Sequence, residues 1–315
     1  MRTMAARLQA HGEPLTVEEI EIGPPASGQV RVDMAFGGVN PIDRYHALGR
    51  VATDAPLPRT LGLEGSAWLD DRPVLVRAYA TGSLIAGLWA GTALVADSSI
   101  VPIPDGVDLD VAAAMGIAGV TAWRCAVEKA QIASDDRVLV LGASGGVGSI
   151  LVSLARSAGA TVWGQTGSES KAGWIRARGA SEVVVGDAAA VADAAGEYRP
   201  TVVFDPLGGD YFGAAVGIMA NRGRLVPFGT SAGPEGQVPL QQLYRKGITV
   251  LGYAGLIESE EVLTQAATEA LAALAAGRFE IVIDRAVPLG QVNTALDLLS
   301  DRSVLGNVVL DLRSA

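Results

Sequence analysis

The spacing of hydrophobic residues changes along the chain, and each change predicts a different kind of structure. Up to about residue 115, short apolar or alternating segments lie between proline and glycine turns, which is typical of strands. Gln29–Ala35 shows this most clearly, because its apolar residues alternate with polar ones as in a half-buried strand. From Val120 to about Gly252, strand-like and helical segments alternate, which predicts a doubly wound parallel sheet.

Six strands are predicted for that sheet: Val138–Leu141, Thr161–Thr166, Glu182–Val185, Thr201–Phe204, Arg224–Phe228 and Thr249–Leu251. Before it we expect strands at Pro73–Ala78, Gly91–Ala96 and Val101–Pro104, and a helix at Leu109–Met115 capped by Asp108. After it we expect an amphipathic helix at Glu260–Ala276, a strand at Ile281–Ile283 and a last strand at Gly306–Leu310.

The turn after the first of the six strands is rich in glycine and leads into a helical pattern that runs from Ile150 to Gly159. Backbone N–H groups left unpaired at such a helix start suit a pyrophosphate. Against the G-x-G-x-x-G fingerprint, the three positions are held by Ala143, Gly145 and Gly148. The predicted cofactor contacts of the turn are Ala143, Ser144, Gly145, Gly146, Val147 and Gly148. The alternative interpretation is a tight turn with no ligand.

The end of the second strand favours NADP(H) over NAD. An NAD site needs a carboxylate there for the ribose 2′-hydroxyl, but this chain has Gly167 and Ser168, with Lys171 one helical turn further on. A hydroxyl and a cation suit a 2′-phosphate, although Ser168 is equally suited to cap the following helix. Loops after later strands, including Phe228 and Gly229, lie where an open parallel sheet binds its ligand.

Composition and net charge limit the classes of binding partner that we expect. The 315 residues suffice for two domains, and the net charge of −10 with a pI near 4.8 argues against nucleic acid or an anionic membrane. No segment reaches the roughly 18 apolar residues of a membrane span, and charge near the N-terminus argues against a signal peptide. We therefore expect a cytoplasmic protein.

Cysteine and histidine are too few for a convincing metal site. Cys125 is the single cysteine, and His11 and His46 are the only histidines. A structural zinc takes four ligands and a catalytic zinc normally three from the protein. The sequence therefore predicts neither an internal disulfide nor a bound metal.

Short motifs are spread over nearly the whole chain: Gly38-Val-Asn-Pro-Ile-Asp-Arg-Tyr45, Leu61-Gly-Leu-Glu-Gly65, Gly119-Val-Thr-Ala122, the glycine turn of 138–148, Gly179-Ala180, Val203-Phe-Asp-Pro-Leu-Gly-Gly209 and Gly306-Asn-Val-Val309. None is specific alone. In this order and spacing they resemble the zinc-independent medium-chain dehydrogenase/reductase superfamily, in its NADPH:quinone oxidoreductase (zeta-crystallin-like) group.

The resemblance implies a GroES-like β-rich catalytic domain over residues 1–118, completed by 257–315, and a Rossmann NADP(H)-binding domain over 119–256. It implies an active site in the cleft between them. It also implies a homodimer, often formed by edge-strand pairing, for which Gly247–Tyr253 would be the matching edge.

The resemblance further assigns catalytic roles. Asn40 would donate to a carbonyl oxygen, Tyr45 would donate a hydrogen bond or the proton, and Thr121 would lie beside the nicotinamide ring. Each has a plainer alternative, because Asn-Pro is a good turn former and a tyrosine is often a core aromatic. Asp43 is expected to be structural, and His46 to point some 100° away from Tyr45 if the segment is helical.

The chain departs from the family's pattern in three places. The β-rich domain is shortened after Gly65, and Gly186 stands where a tyrosine often lies near the 2′-phosphate. Asn307 replaces a common lysine before the last strand and is kept as a candidate cofactor contact.

Together these expectations define a leading function. We expect an NADPH-dependent oxidoreductase that transfers a hydride to quinones or to the C=C bond of α,β-unsaturated carbonyl compounds, without zinc. The alternatives are an enoyl reductase of a biosynthetic pathway and a non-catalytic NADPH-binding protein.

Overall fold

The computed structural model describes residues 1–78, 87–194 and 198–315, and these form two compact units. The β-rich unit comprises Met1–Val120, Leu256–Gly277 and Ile281–Ala315. The α/β unit comprises Thr121–Gly255 and Arg278–Glu280.

The strands of the described ranges are β1 (Arg2–Leu8), β2 (Thr16–Glu21), β3 (Gln29–Val39), β4 (Arg59–Thr60), β5 (Glu64–Leu69), β6 (Arg72–Arg77), β7 (Thr92–Ala96), β8 (Ile100–Pro102), β9 (Arg137–Val140), β10 (Thr161–Thr166), β11 (Glu182–Val185), β12 (Val202–Asp205), β13 (Arg224–Pro227), β14 (Thr249–Val250), β15 (Ile283–Pro288) and β16 (Asn307–Asp311).

The α-helices there are α1 (Pro41–Ala47), α2 (Leu109–Ala113), α3 (Val120–Trp123), α4 (Gly146–Ser157), α5 (Ala172–Ala177), α6 (Ala188–Ala194), α7 (Asp210–Ile218), α8 (Leu240–Lys246), α9 (Glu260–Ala275) and α10 (Val292–Ser300). Short 3₁₀ turns lie at Asp97–Ser99, Glu169–Lys171, Gly255–Ile257 and Leu289–Gln291, and π-helical turns at Met115–Gly119 and Arg124–Lys129. Within the described ranges, none of these helices is both long and apolar enough to cross a membrane.

The β-rich unit is built on two sheets. One has the order β2-β1-β4, and the other the order β15-β16-β3-β5-β6-β8, with β7 also pairing with β3. The pairs are antiparallel except β15 with β16. Inward side chains such as Val32, Val76 and Leu310 are buried in one core, so the alternation seen along β3 marks a true sheet face.

The α/β unit contains one parallel sheet of order β11-β10-β9-β12-β13-β14. Counted along the unit this is 3-2-1-4-5-6, the order of a doubly wound dinucleotide fold. Leu139, Val203 and Leu225 of its central strands are fully buried. The predicted α/β fold class is therefore confirmed.

The bounds of several predicted elements differ from the structure, and three of these differences are informative. The helix expected at Leu109–Met115 ends at Ala113 and passes into the π-helical turn Met115–Gly119. There the Ile117 N–H donates to the Glu64 carboxylate rather than to the helix. Helix α4 begins at Gly146, inside the glycine turn, and not near Ile150.

The strand expected at Ile281–Ile283 is wrong in its bounds, since β15 begins at Ile283. Its pairing with β16 starts there, where Ile283 lies opposite Asn307. Ile281 is buried before the strand begins, so its apolar character reflects core packing and not strand pairing.

Candidate functional site

The glycine turn joins β9 to α4 at the carboxyl edge of the parallel sheet. Gly145 is the N-cap of α4, with φ −82° and ψ 176°, an extended conformation open to any residue. A Cβ added there would meet only the Gly142 carbonyl oxygen, at 3.5 Å. Neither the backbone nor the packing of the described residues requires glycine at this position. The space above Gly145 therefore fits the close approach of a diphosphate.

Gly148 is different, because the protein itself needs it to be glycine. A Cβ there would overlap the Gly142 carbonyl oxygen and lie 3.0 Å from the Ala143 Cα. Gly142 itself has φ +62°, in the left-handed region. The first turn of α4 thus packs directly on the chain that leaves β9.

Gln165 of β10 anchors this turn, and the sequence pattern does not single it out. Its side chain is buried, its Oε1 accepts from the Gly142 N–H at 3.0 Å, and its Nε2 donates to the Gly186 carbonyl at 2.7 Å. One amide therefore ties β9, β10 and the end of β11 together. The available signal was a glutamine in a strand flanked by parallel neighbours, where a buried polar group needs partners.

The loop after β10 is open and carries no carboxylate at its first two positions. A Cβ at Gly167 would meet nothing within 4 Å. Ser168 occupies the N-cap position of the 3₁₀ turn, but its hydroxyl lies 2.8 Å from the Ser170 hydroxyl and makes no capping bond. Lys171 ends that turn. The loop thus offers hydroxyls and a lysine beside an open glycine.

The loop after β13 lies at the same carboxyl edge of the sheet. The half-buried Phe228 donates its N–H to the Asp205 carbonyl at 2.9 Å. A Cβ at Gly229 would come within 2.7 Å of the Pro206 carbonyl oxygen, so packing requires this glycine. Burial raises the pKa of Asp205, whose Oδ1 accepts the N–H groups of Leu207 and Gly208.

Asn307 lies in the β-rich unit and has a structural task there. It is buried in β16, and its Nδ2 donates to the Val282 carbonyl at 3.2 Å. Its backbone N–H donates to the same oxygen at 2.9 Å. The amide thus closes the start of the β15–β16 pair.

Asn40 begins α1 of the β-rich unit. Asn40 and Asp43 form a capping box, in which each side chain faces the backbone N–H of the other. The Asn40 N–H donates to Asp43 Oδ2 at 2.8 Å. Pro41 at the first helical position supports the same helix start. Tyr45 is half-buried one turn later, and the helix turns the buried His46 to a different face.

A second contact holds the side chain of Asn40. Its Nδ2 donates to Glu64 Oε1 at 2.5 Å, and Glu64 Oε2 accepts the Ile117 N–H at 2.7 Å. Glu64 is only 1% exposed, and Arg77 acts on it as the nearby positive charge. The Arg77 Nη2 in turn donates to Glu260 Oε1 of α9 at 2.8 Å. The motif around Glu64 was noticed in the sequence, but no role could be read for the carboxylate itself.

Burial shifts the acidity of three groups here. Desolvation raises the pKa of Glu64 to about 7, although its hydrogen bonds and Arg77 oppose the rise. Desolvation also raises the pKa of Asp43 well above its ordinary value. Burial and the nearby Arg59 lower the pKa of His46 to about 4. His46 is therefore a neutral imidazole at neutral pH and is not a source of protons for the reaction.

The cysteine and histidine side chains, which are common zinc ligands, do not fit a zinc site in this chain. Cys125 is fully buried, and burial raises the pKa of its thiol, whereas zinc requires a thiolate. His46 Nδ1 lies 3.4 Å from the Arg59 guanidinium, which disfavours a cation at that nitrogen. Over the described ranges, no three histidine, cysteine or carboxylate side chains group together as metal ligands would.

The chain is similar to known proteins over almost its whole length. A profile described as zinc-binding dehydrogenase matches residues 146–272. The quinone oxidoreductase of Pseudomonas aeruginosa is 29% identical, over 98% of this chain and 99% of its own. A solved NAD-dependent alcohol dehydrogenase is 25% identical with a TM-score of 0.87, and a mycobacterial protein complexed with NADPH is 24% identical with a TM-score of 0.86. Both structures match over 98% of this chain and 99% of theirs.

These matches support the medium-chain dehydrogenase/reductase superfamily, in its quinone oxidoreductase group. The resemblance drawn from the sequence motifs is confirmed. The similarity to quinone oxidoreductases over almost the whole chain supports an oxidoreductase.

The structure brings some of the nominated residues together. In the α/β unit, the glycine turn, the loop of 167–171 and the Phe228-Gly229 loop all follow carboxyl ends of one parallel sheet. In the β-rich unit, Asn40 is the N-cap of α1 and Tyr45 lies within α1, whereas Asn307 lies in β16. Thr121, half-buried in α3, is the first residue of the α/β unit.

Proposed function

We propose that the chain is an NADPH-dependent oxidoreductase that transfers a hydride to quinones or to the C=C bond of α,β-unsaturated carbonyl compounds, without zinc. The observation that carries the proposal is the space at Gly145, in a glycine turn whose last fingerprint position, Gly148, is required by packing. A Cβ at Gly145 would contact only the Gly142 carbonyl oxygen, at 3.5 Å, and this supports a diphosphate at the start of α4. The nicotinamide supplies the hydride when it is bound.

Ser168 and Lys171 support the preference for NADPH. A 2′-phosphate needs hydrogen-bond donors and positive charge, and the loop after β10 presents both beside an open Gly167. The carboxylate that an NAD ribose would need is missing from these positions. The mycobacterial structure with NADPH is in keeping with this choice.

Asn40 is proposed to act on the acceptor as a neutral hydrogen-bond donor. Its oxygen faces the Asp43 N–H in the capping box, and one of its two N–H bonds points to Glu64. The second N–H is then the donor left to polarise a carbonyl oxygen of the acceptor. Tyr45, on the same helix, would supply a hydrogen bond or a proton to the product, and Thr121 would lie beside the nicotinamide.

The absence of zinc from the proposal rests on the ligands that the chain possesses. The thiol of Cys125 is buried and weakly acidic, and His46 lies beside Arg59. Polarisation of the acceptor is therefore assigned to Asn40. The functional partner is a small molecule, and we further propose a cytoplasmic homodimer on family grounds.

The test is oxidation of NADPH, followed by its absorbance, with a panel of quinones and enones and with NADH in parallel. We expect turnover with at least one acceptor class and a preference for NADPH. If NADPH quenches tryptophan fluorescence but none of the quinones and enones is reduced, the chain is a non-catalytic binding protein or a pathway-specific enoyl reductase. Reduction of enoyl thioesters, assayed next, would identify the enoyl reductase.

A further inference from the structure

We propose that Glu64 is a positioning residue for Asn40, and that hydride transfer requires Glu64 as a carboxylate. The inference rests on the proposed function, because it assigns to Asn40 the donor that acts on the acceptor. It concerns a group that lies outside the glycine turn and is buried within the β-rich unit.

The hydrogen-bond pattern around Glu64 requires an acceptor at both of its oxygens. Oε1 receives the Asn40 Nδ2 at 2.5 Å, and Oε2 receives the Ile117 N–H at 2.7 Å, with the Gly116 N–H also acting on the carboxylate. A proton on Oε1 would face an N–H of Asn40, and a proton on Oε2 would face backbone N–H groups. Only the ionised carboxylate satisfies all of these donors at once.

Turning the Asn40 amide over does not preserve its direction. The turn would present the amide oxygen to a protonated Glu64 and the NH₂ group to the Asp43 N–H of the capping box, while that N–H keeps the Asn40 backbone carbonyl as an acceptor at 3.0 Å. Protonation of Glu64 therefore either breaks the bond from Asn40 or reverses the Asn40 amide. In both cases the second N–H of Asn40 loses its fixed direction.

The carboxylate is poised to titrate near neutral pH. The charged groups that act on it are Arg77 from β6, which favours the ionised form, and Asp43 from α1, whose own titration is coupled to Glu64. Glu260 of α9 forms an ion pair with Arg77, so the positive charge of Arg77 is shared between Glu64 and Glu260. The π-helical turn Met115–Gly119 contributes backbone N–H groups that favour ionisation. Burial opposes them, and the pKa of Glu64 is raised to about 7.

The consequence for activity has a definite sign. Below a pH of about 7 the carboxyl is increasingly protonated, so Asn40 is released and kcat falls. Above it, the carboxylate holds the amide and kcat reaches a plateau. KM for the acceptor changes less, because the acceptor still reaches its site but meets a misdirected donor.

The decisive variant is Glu64→Gln, which keeps the shape of the side chain but cannot accept at both ends. With an acceptor that the wild type reduces, kcat should fall roughly tenfold to a hundredfold, the range for a hydrogen bond to a charged group. The acidic limb near pH 7 should vanish, and NADPH should still quench tryptophan fluorescence as in the wild type. Glu64→Asp should retain the limb, and the exposed Glu13→Gln should match the wild type.

A second measurement does not depend on turnover. The chain has four asparagines, so selective ¹⁵N labelling of asparagine gives a small set of side-chain amide signals. The Asn40 amide should titrate with a midpoint near pH 7 in the wild type and be insensitive to pH in the Glu64→Gln variant. If no acceptor is reduced by the wild type, the proposed function has failed, and this titration still decides whether Glu64 directs Asn40.

The inference is overturned by either of two results. One is a Glu64→Gln enzyme whose kcat and acidic limb equal those of the wild type. The other is an Asn40 amide signal that is indifferent to pH around neutrality while the Glu64→Gln variant remains folded.

Discussion

The proposed site residues of the two units differ in kind: those of the α/β unit act mostly through the backbone, and those of the β-rich unit act through side chains. In the α/β unit the proposed cofactor contacts are mostly backbone groups, at glycines and at the start of α4. In the β-rich unit the proposed donor is the side chain of Asn40, which is held by a buried carboxylate, Glu64. A backbone site is tolerant of charge and pH but intolerant of added side-chain atoms. A site held by a buried carboxylate has the opposite sensitivities.

The largest expected effect separates two glycines of the same turn. Gly148→Ala should lower the thermal midpoint, because its methyl group would overlap the Gly142 carbonyl and cost about 1–3 kcal/mol of unfolding free energy. Gly145→Ala should leave the midpoint unchanged or slightly raised, since its backbone suits alanine and its Cβ has only one contact, at 3.5 Å.

The Gly145→Ala and Gly148→Ala variants should also differ in their affinity for NADPH, for a different reason. The Gly145→Ala methyl would occupy the space proposed for the diphosphate, so NADPH should bind roughly ten to a hundred times more weakly to a fully stable protein. Calorimetric titration of both variants, beside their melting curves, makes the comparison. Unaltered NADPH affinity in Gly145→Ala would remove the diphosphate from this turn.

A smaller effect is expected at the loop after β10. Lys171→Ala should weaken NADPH binding by about 1–3 kcal/mol, because it removes a positive charge from the 2′-phosphate, and should leave NADH binding nearly unchanged. Lys129→Ala is a matched control, since Lys129 lies in the π-helical turn before β9 and not at the carboxyl edge of the sheet. An equal loss for both cofactors would refute the assignment of Lys171.

The contrast between the units also explains what could be predicted from the sequence. The strands of the parallel sheet were placed almost to the residue, because strands such as β9 and β12 are buried apolar runs with no competing pattern. The glycine turn was found because its spacing is local. Ile281 misled the prediction, since a buried residue before a strand looks like part of the strand.

Gln165 and Glu64 show what local patterns leave out. Gln165 of β10 bonds to Gly142, which follows β9, and to Gly186, which follows β11. Glu64 interacts with Asn40, Ile117 and Arg77, which come from separate parts of the chain. Such partners are adjacent only after the sheet has formed. The π-helical turn was missed for the same reason, because its N–H groups are satisfied by a distant carboxylate.

The most direct test of the account separates cofactor binding from chemistry at Asn40. Asn40→Ser keeps a residue that caps helices well but removes the amide that donates to Glu64 and, by proposal, to the acceptor. In single-turnover mixing of the NADPH-bound protein with its best acceptor, we expect wild-type NADPH affinity and a rate of NADPH oxidation lower by roughly tenfold or more. Oxidation at the wild-type rate in Asn40→Ser would contradict the account, because the donor would then lie elsewhere.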